Sequence, residues 1–262
     1  MSNYWTKQTT KEPLYPDLIW SRPSNKLTAG KLLVVGGNSG GFKDLANAYA
    51  TAEKAGAGVV KVLMPDALQK TIGKVLEMSE FASSTPSGSF DSKSLATILD
   101  HAQWSDGVLL AGDFGQNSET ASMIENMAGK YSGQLTFSGD AVDIVISNPL
   151  IALNRPNTLI VLEFRQLQKL FMNSRFTRSI TSTMSLDAYV EALHEFTKRH
   201  QPTLMTVFNG NIVIANNGQL TSTRIDQEID LQQIGTTACV WWLQNPSKTI
   251  EAITSSLVSN NQ

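Results

Sequence analysis

The chain has one cysteine, Cys239, among 262 residues. That scarcity excludes an internal disulfide and any metal centre built on several thiolates. Its three histidines, His101, His194 and His200, show no metal-ligand spacing, and the last two are six apart, off the i, i+4 interval that pairs ligands on a helical face. No metal is expected, and all three read as structural or surface residues. Long apolar runs are missing too: the longest, Ala238 to Leu243, is far short of the ~20 residues of a membrane span. The opening MSNYWTKQTTKEP is too polar for a secretory signal. Charge is nearly balanced, 21 Lys and Arg against 23 Asp and Glu, for a formal net charge of −2. These absences argue against a membrane, export, or nucleic acid as a main partner, and the composition is that of a cytoplasmic protein.

What is present suits a folded globular chain, with 41% hydrophobic and 17% charged residues. No low-complexity linker or internal repeat breaks it. We therefore expect a Pro-punctuated lead-in over residues 1–30 and a single domain over residues 31–262. Lys31 to Val35 is short, branched and closed by glycines, which predicts a buried strand. An Ala-rich helix over Ala46 to Ala55 ends at Gly56, and Val59 to Leu63 gives a second strand, completing a strand, helix, strand unit of parallel-crossover size. The rhythm continues: helix Leu95 to Ala102, strand Gly107 to Ala111, helix Ser118 to Lys130 with Ser118 as candidate N-cap, then strands at Gln134 to Phe137 and Leu159 to Leu162. Leu186 to His200 carries one apolar helical face. Three closely spaced β-rich runs, Thr203 to Phe208, Ile212 to Ala215 and Gln219 to Thr223, predict late antiparallel strands, and helices return at Thr237 to Leu243 and Lys248 to Leu257.

The loop Gly36-Gly-Asn-Ser-Gly-Gly41 lies between a strand and a helix, where free backbone N–H groups can face an anion. It is neither a Walker sequence nor a dinucleotide fingerprint, and a tight packing turn explains it equally well. Together with Ala55-Gly-Ala-Gly-Val-Val60, this loop resembles the opening of the ADP- or ATP-dependent NAD(P)H-hydrate dehydratases of the ribokinase-like superfamily. Later landmarks keep the family's order. Gly107-Val-Leu-Leu-Ala-Gly-Asp-Phe-Gly115 resembles a strand and glycine loop that normally reads Gly-Pro-Gly-Leu-Gly. Phe137-Ser-Gly-Asp-Ala-Val142 resembles Leu-Asp-Ala-Asp-Ala-Leu, and Val207 to Ile214 resembles Val-Leu-Lys-Gly and its β-rich sequel. Gly235-Thr-Thr-Ala-Cys-Val240 takes the place of Gly-Gly-Thr-Gly-Asp-Val at the start of the helix that closes the family's active site.

The resemblance implies a ribokinase-like α/β fold: a mostly parallel sheet flanked by helices, with a small late antiparallel element. It implies ATP or ADP as co-substrate, and homo-oligomers like those of bacterial members. It also implies a phosphate or substrate site at Gly37, Asn38, Lys43, Gly112, Asp113, Gly115, Asp140, Asn209, Gly235, Thr236, Thr237 and Cys239. Several of these positions depart from the family. Cys239 replaces the carboxylate base, Ala238 a glycine, and Asn209 the lysine of Lys-Gly, while Asp113 brings negative charge to the second glycine loop. Val161-Leu-Glu-Phe-Arg-Gln166 lacks the histidine and glutamate of the family's Thr-Pro-His-x-Gly-Glu.

Losing base, cation and phosphate-facing glycine together implies that nucleotide-dependent dehydration is lost or weakened, with a small nucleotide-like ligand retained or a role in protein association. The alternative is an active dehydratase or small-molecule kinase in which Asp140, Asp226 or Asp230 supplies the base. Taken singly, Cys239 reads as a buried small residue or a poised nucleophile, and Asp140 as a ligand-orienting carboxylate or a turn cap. Asp226 and Asp230 read as substitute carboxylates or a solvated loop, and Lys43 as an anion contact or a surface lysine. Trp241 and Trp242, about 100° apart on a helix, must meet different surfaces.

Overall fold

A computed structural model describes residues 3–72, 78–225 and 230–259. Ten strands form one sheet: β1 (Trp5–Gln8), β2 (Lys31–Val35), β3 (Val59–Pro65), β4 (Ser79–Ala82), β5 (Gly107–Leu110), β6 (Gln134–Phe137), β7 (Thr158–Leu162), β8 (Thr203–Phe208), β9 (Asn211–Asn216) and β10 (Gln219–Arg224). The helices are α1 (Pro16–Trp20), α2 (Lys43–Lys54), α3 (Gln69–Ile72), α4 (Ser94–Trp104), α5 (Ser118–Lys130), α6 (Asp140–Ser147), α7 (Leu150–Leu153), α8 (Phe164–Asn173), α9 (Leu186–Thr197), α10 (Leu231–Gln244) and α11 (Thr249–Ser259).

In space the strands run β1-β10-β9-β8-β7-β6-β5-β2-β3-β4. Every pairing is parallel except those of β9 with β8 and β10, so β9 alone points the other way. The mostly parallel sheet with its late antiparallel element is as the sequence predicts. The two late turns, Asn209-Gly210 and Asn217-Gly218, have positive φ at both residues, the twist-matching hairpin geometry that Asn-Gly adopts most readily.

The central strands are buried on both sides, which is why they read as unbroken branched runs. Alternate residues serve opposite layers. Leu33, Val35, Val108, Leu110, Leu135 and Phe137 pack with α4, α5, α6, α8 and α9, whereas Leu32, Val34, Val60 and Leu109 pack with α2 and α10. From Gly235 to Leu243, helix α10 is buried on every side. Cys239 and Val240 enter the layer with α2, Trp242 meets Leu159, Val161 and Met205, and Trp241 meets Leu18 and Ala252. Both tryptophans therefore find interior surfaces, on different sides of the helix.

Several boundaries differ from the sequence expectation. The lead-in contributes edge strand β1, paired with β10, and Leu18 of α1 joins the cluster around Trp241. Helix α2 starts three residues before Ala46, and the N-cap of α5 is Asn117, whose side chain accepts the Glu119 amide at 2.8 Å, rather than Ser118. Most consequential, α10 begins at Leu231, not Thr237, because Asp230 caps it with Oδ1 accepting from Gln232 and Gln233, both at 3.1 Å. Cys239 is therefore the ninth residue of the helix, about 13 Å of helical rise beyond the cap and not at the helix start.

Candidate functional site

The chain order reverses beside β2: β3 and β4 lie to one side of it, and β5 to β8 to the other. In a parallel sheet the crevice at such a switch point, beyond the carboxyl ends of the strands, is where ligands bind. Both glycine loops leave the sheet there, after β2 and after β5. Gly36 is required by their close approach, since a Cβ on it would run into the carbonyl oxygen of Ala111.

The first loop closes on itself. Asn38 and Gly41 exchange backbone hydrogen bonds at 3.1 and 3.0 Å, Gly40 donates to Asn38 Oδ1 at 2.6 Å, and Ser39 donates to the Gly88 carbonyl at 3.0 Å. Four successive amides, 38 to 41, are thus spent within the protein. An anion cradle needs such donors free, so the packing-turn reading fits this loop better. Lys43 is exposed at the first position of α2.

In the second loop, side-chain carboxylates take the positions an anion would occupy. Asp113 Oδ1 accepts the Gly115 amide at 2.7 Å and also bonds the Asn38 side chain, while Asp140 accepts the Phe114 amide and shares a hydrogen bond with Asp113. Leu110 and Phe137 are in register on β5 and β6, and each aspartate follows three residues later, so parallel pairing delivers both to one spot. Burial, the hydrogen bond to Asp113 and that residue's charge push Asp140 up to about 6, with Asp143 adding to the rise and the Phe114 amide opposing it. Burial works against ionisation of Asp113 as well, but the Gly115 amide, Asn38 and Asp140 outweigh it and hold Asp113 below the usual carboxylate range. The two behave as one carboxyl pair that gains a shared proton just below neutrality.

The same self-occupation recurs at two helix starts. Asp230 fills the first turn of α10, and Glu163 takes the N3 amide of α8 while Gln166 Oε1 accepts the Glu163 amide at 3.1 Å. Between these helices lies a cleft of about 790 Å³, lined by Glu163, Phe164, Arg165, Val207, Asp230, Leu231 and Gln232. Arg165 is exposed in it and has no ion-pair partner among the described residues. A smaller cavity of about 110 Å³, bordered by Asp44, Asn47, Ser138, Asp230 and Thr236, lies between α10 and the start of α2.

The other sequence-predicted positions are held by packing. Cys239 is fully buried beside Gln134 and Thr136, and burial pushes its thiol up to about 11, those two neighbours pulling the other way. It is protonated at neutral pH and meets no solvent, so neither the base role nor that of a poised nucleophile fits it. Gly235 lets α10 approach the sheet, because a Cβ there would lie 2.8 Å from both methyls of Val161. Thr236 and Thr237 donate back to the Gln232 and Gln233 carbonyls at 2.9 and 3.0 Å. Asn209 forms the β8–β9 turn. Gly37, Gly112 and Gly115 have positive φ within the two loops. Asp226 lies outside the described residues.

Sequence reasoning passed over Ser89 and Gln116, which line the clefts without belonging to a motif, and gave no role to Arg165 within Val161 to Gln166. Among the described residues no group of three or more His, Cys, Asp and Glu side chains is arranged to hold a metal ion, and no helix is long and apolar enough to cross a membrane.

No protein-family model matches the sequence, and no curated protein matches it. Solved structures do. A ribokinase-like superfamily protein from Enterococcus faecalis V583 superposes with a TM-score of 0.71 at 11% identity, over 98% of this chain and 86% of that one. A hypothetical protein from Streptococcus mutans gives 0.66 at 15% identity, over 93% and 84%. The ADP/ATP-dependent NAD(P)H-hydrate dehydratase of Bacillus subtilis, co-crystallised with ATP and Mg2+, gives 0.61 at 12% identity, over 94% and 86%. At these identities the likeness establishes the fold alone: the chain has a ribokinase-like α/β fold, the architecture that the sequence resemblance implies.

Proposed function

We propose that this protein is a divergent relative of the NAD(P)H-hydrate dehydratases in which nucleotide-dependent dehydration is lost or greatly weakened, while a pocket for a small polar ligand is kept. One observation carries the reading. Backbone donors that would grip a phosphate along this edge are already bonded to the protein's own carboxylates: Gly115 to Asp113, Phe114 to Asp140, and Gln232 and Gln233 to Asp230. A nucleotide would have to displace like charge from its own binding groups. Phosphoryl transfer depends on preorganised positive groups at the moving charge, and here those groups serve internal anions. Cys239 offers no carboxylate in compensation, and Asp230 stands a long way from it along α10.

A second reading has a specific observation behind it. The cleft between α8 and α10 is large enough for a nucleotide and holds Arg165, an exposed cation suited to phosphate. In that reading Asp230 is the base and the enzyme is active. Incubating the purified protein with ATP or ADP and hydrated NADH separates the two. The first reading predicts no NADH or lower phosphate product above a no-enzyme control; sustained cofactor-dependent turnover supports the second. Homo-oligomerisation belongs to the first reading's family resemblance and is checked by sedimentation equilibrium.

A further inference from the structure

We propose that the polar groove over the second glycine loop binds a hydroxylated aliphatic amine, an aminated polyol, and rejects its phosphorylated counterparts. The inference rests on the reading that this edge has given up phosphate, and it names the class of ligand taken instead.

Two cavities adjoin at Gln116, which lines both. The first, about 450 Å³, is bordered by Asn38, Ser87, Ser89, Gly115, Asn117 and Ser118, all neutral. The second, about 440 Å³, is bordered by Asp140, Asp143, Ile146, Ser147 and Lys169. Ser89 is only 4% exposed, and its backbone groups pair with Thr85, but its hydroxyl has no hydrogen-bond partner among the described residues. It sits against Gly115, the residue whose amide Asp113 holds. A hydroxyl on a largely buried residue that opens only onto the cavity gains most from a ligand group that both donates and accepts, as an alcohol does. The neutral serine and asparagine side chains around it extend the same pattern, and Gln116 adds an amide donor and acceptor midway.

The far end sets the charge. Asp140 and Asp143 face it against the ammonium of Lys169, and Asp113 stands beside Asp140. Two lining carboxylates backed by the charge of Asp113, against one cation, create a negative potential that draws an ammonium group and repels a phosphate. A chain of hydroxyls running from Ser89 past Gln116 to an amine at Asp140 would match each group the groove offers.

Titration calorimetry on the full chain tests this with glucamine (1-amino-1-deoxysorbitol), sorbitol and sorbitol 6-phosphate. Glucamine should bind at least about tenfold more tightly than sorbitol, the discrimination expected of one charge-assisted hydrogen bond, and sorbitol 6-phosphate should give no saturable heat. Asp140→Asn should bring glucamine down to the affinity of sorbitol, while Ser89→Ala and, at an exposed position, Gln116→Ala should weaken both polyols. Binding of sorbitol 6-phosphate as tight as that of glucamine, no saturable heat from either polyol, or displacement of glucamine by magnesium chloride would overturn the proposal. The dehydratase assay stands apart: turnover with glucamine binding intact defeats only the proposed loss of activity, whereas absence of both turnover and polyol binding defeats only this inference.

Discussion

The two ends of the sheet solve the same problem with opposite charges. Beyond the carboxyl ends of the strands, the carboxylates of Asp113, Asp140, Asp230 and Glu163 sit on backbone amides. At the other end, in the loops leading into β6 and β7, the guanidinium of Arg155 sits on backbone carbonyls. It donates to Ala128, Tyr131, Gly133, Pro156 and Asn157, and to the Thr158 hydroxyl. No carboxylate among the described residues faces Arg155, and burial lowers it to about 10, so it remains charged at neutral pH. The difference is exposure. Arg155 is 9% exposed and ties the two segments that lead into β6 and β7 together, while Asp113 and Asp140 face solvent. The carbonyl end is a fastening whose loss unfolds, and the amide end is a surface whose loss changes what binds.

Four substitutions test that division, from the largest effect down. Cys239→Asp places a carboxylate in the interior, where no backbone amide meets it. It should destabilise the protein by about 4 kcal/mol in urea unfolding and restore no dehydration; recovered turnover would show that the missing base is the only defect. Arg155→Met leaves several buried carbonyls unpaired and should cost about 3 kcal/mol with ligand binding unchanged in the surviving folded fraction. A cost below ~1 kcal/mol would erase the contrast between the ends. Asp230→Ala should cost about 1 kcal/mol, the usual value of a helix cap, and should also free the Gln232 and Gln233 amides, so that ADP affinity rises.

Asp140→Asn has the smallest effect and a pH signature. The Asp140 carboxyl is held above its ordinary value of 3.8, at about 6. The folded state therefore binds its proton more tightly than the unfolded state does. That stabilisation is fully present below pH ~4 and is lost as pH rises through ~6. Relative to the parent, the variant should gain stability between those limits and hold the gain above them. The gain should stay under about 1 kcal/mol, because solvent screens an exposed pair. Unfolding curves at pH 4 and pH 7 check it, and a larger gain at pH 4 would contradict the shared-proton pair.

Much of the fold was legible because central parallel strands are buried on both faces and so appear as short branched runs between glycines; Lys31 to Val35 and Leu159 to Leu162 are examples. Edge strands β1 and β4 escaped notice because Trp-Thr-Lys-Gln and Ser-Glu-Phe-Ala are half exposed and carry no such run. The start of α10 was hidden for a local reason. Leu231-Gln-Gln has little apolar pattern, and the cap that fixes it, Asp230, also reads as a solvated loop residue. Asp113 and Asp140 were each noticed singly, but their pairing depends on the register of β5 with β6, which composition and spacing do not encode. Ser89 belongs to no motif at all, and only the approach of its loop to Gly115 gives it a role.

The most direct measurement is an amide-resolved NMR titration of the 15N-labelled protein with ADP and, separately, with pH. If the protein's own carboxylates occupy the phosphate-facing donors, the Phe114, Gly115, Gln232 and Gln233 amides should stay unmoved by ADP, and Phe114 and Gly115 should shift with a midpoint near pH 6 as the aspartate pair takes up its proton. Saturable displacement of all four amides by ADP, with no pH response at Phe114, would contradict the account.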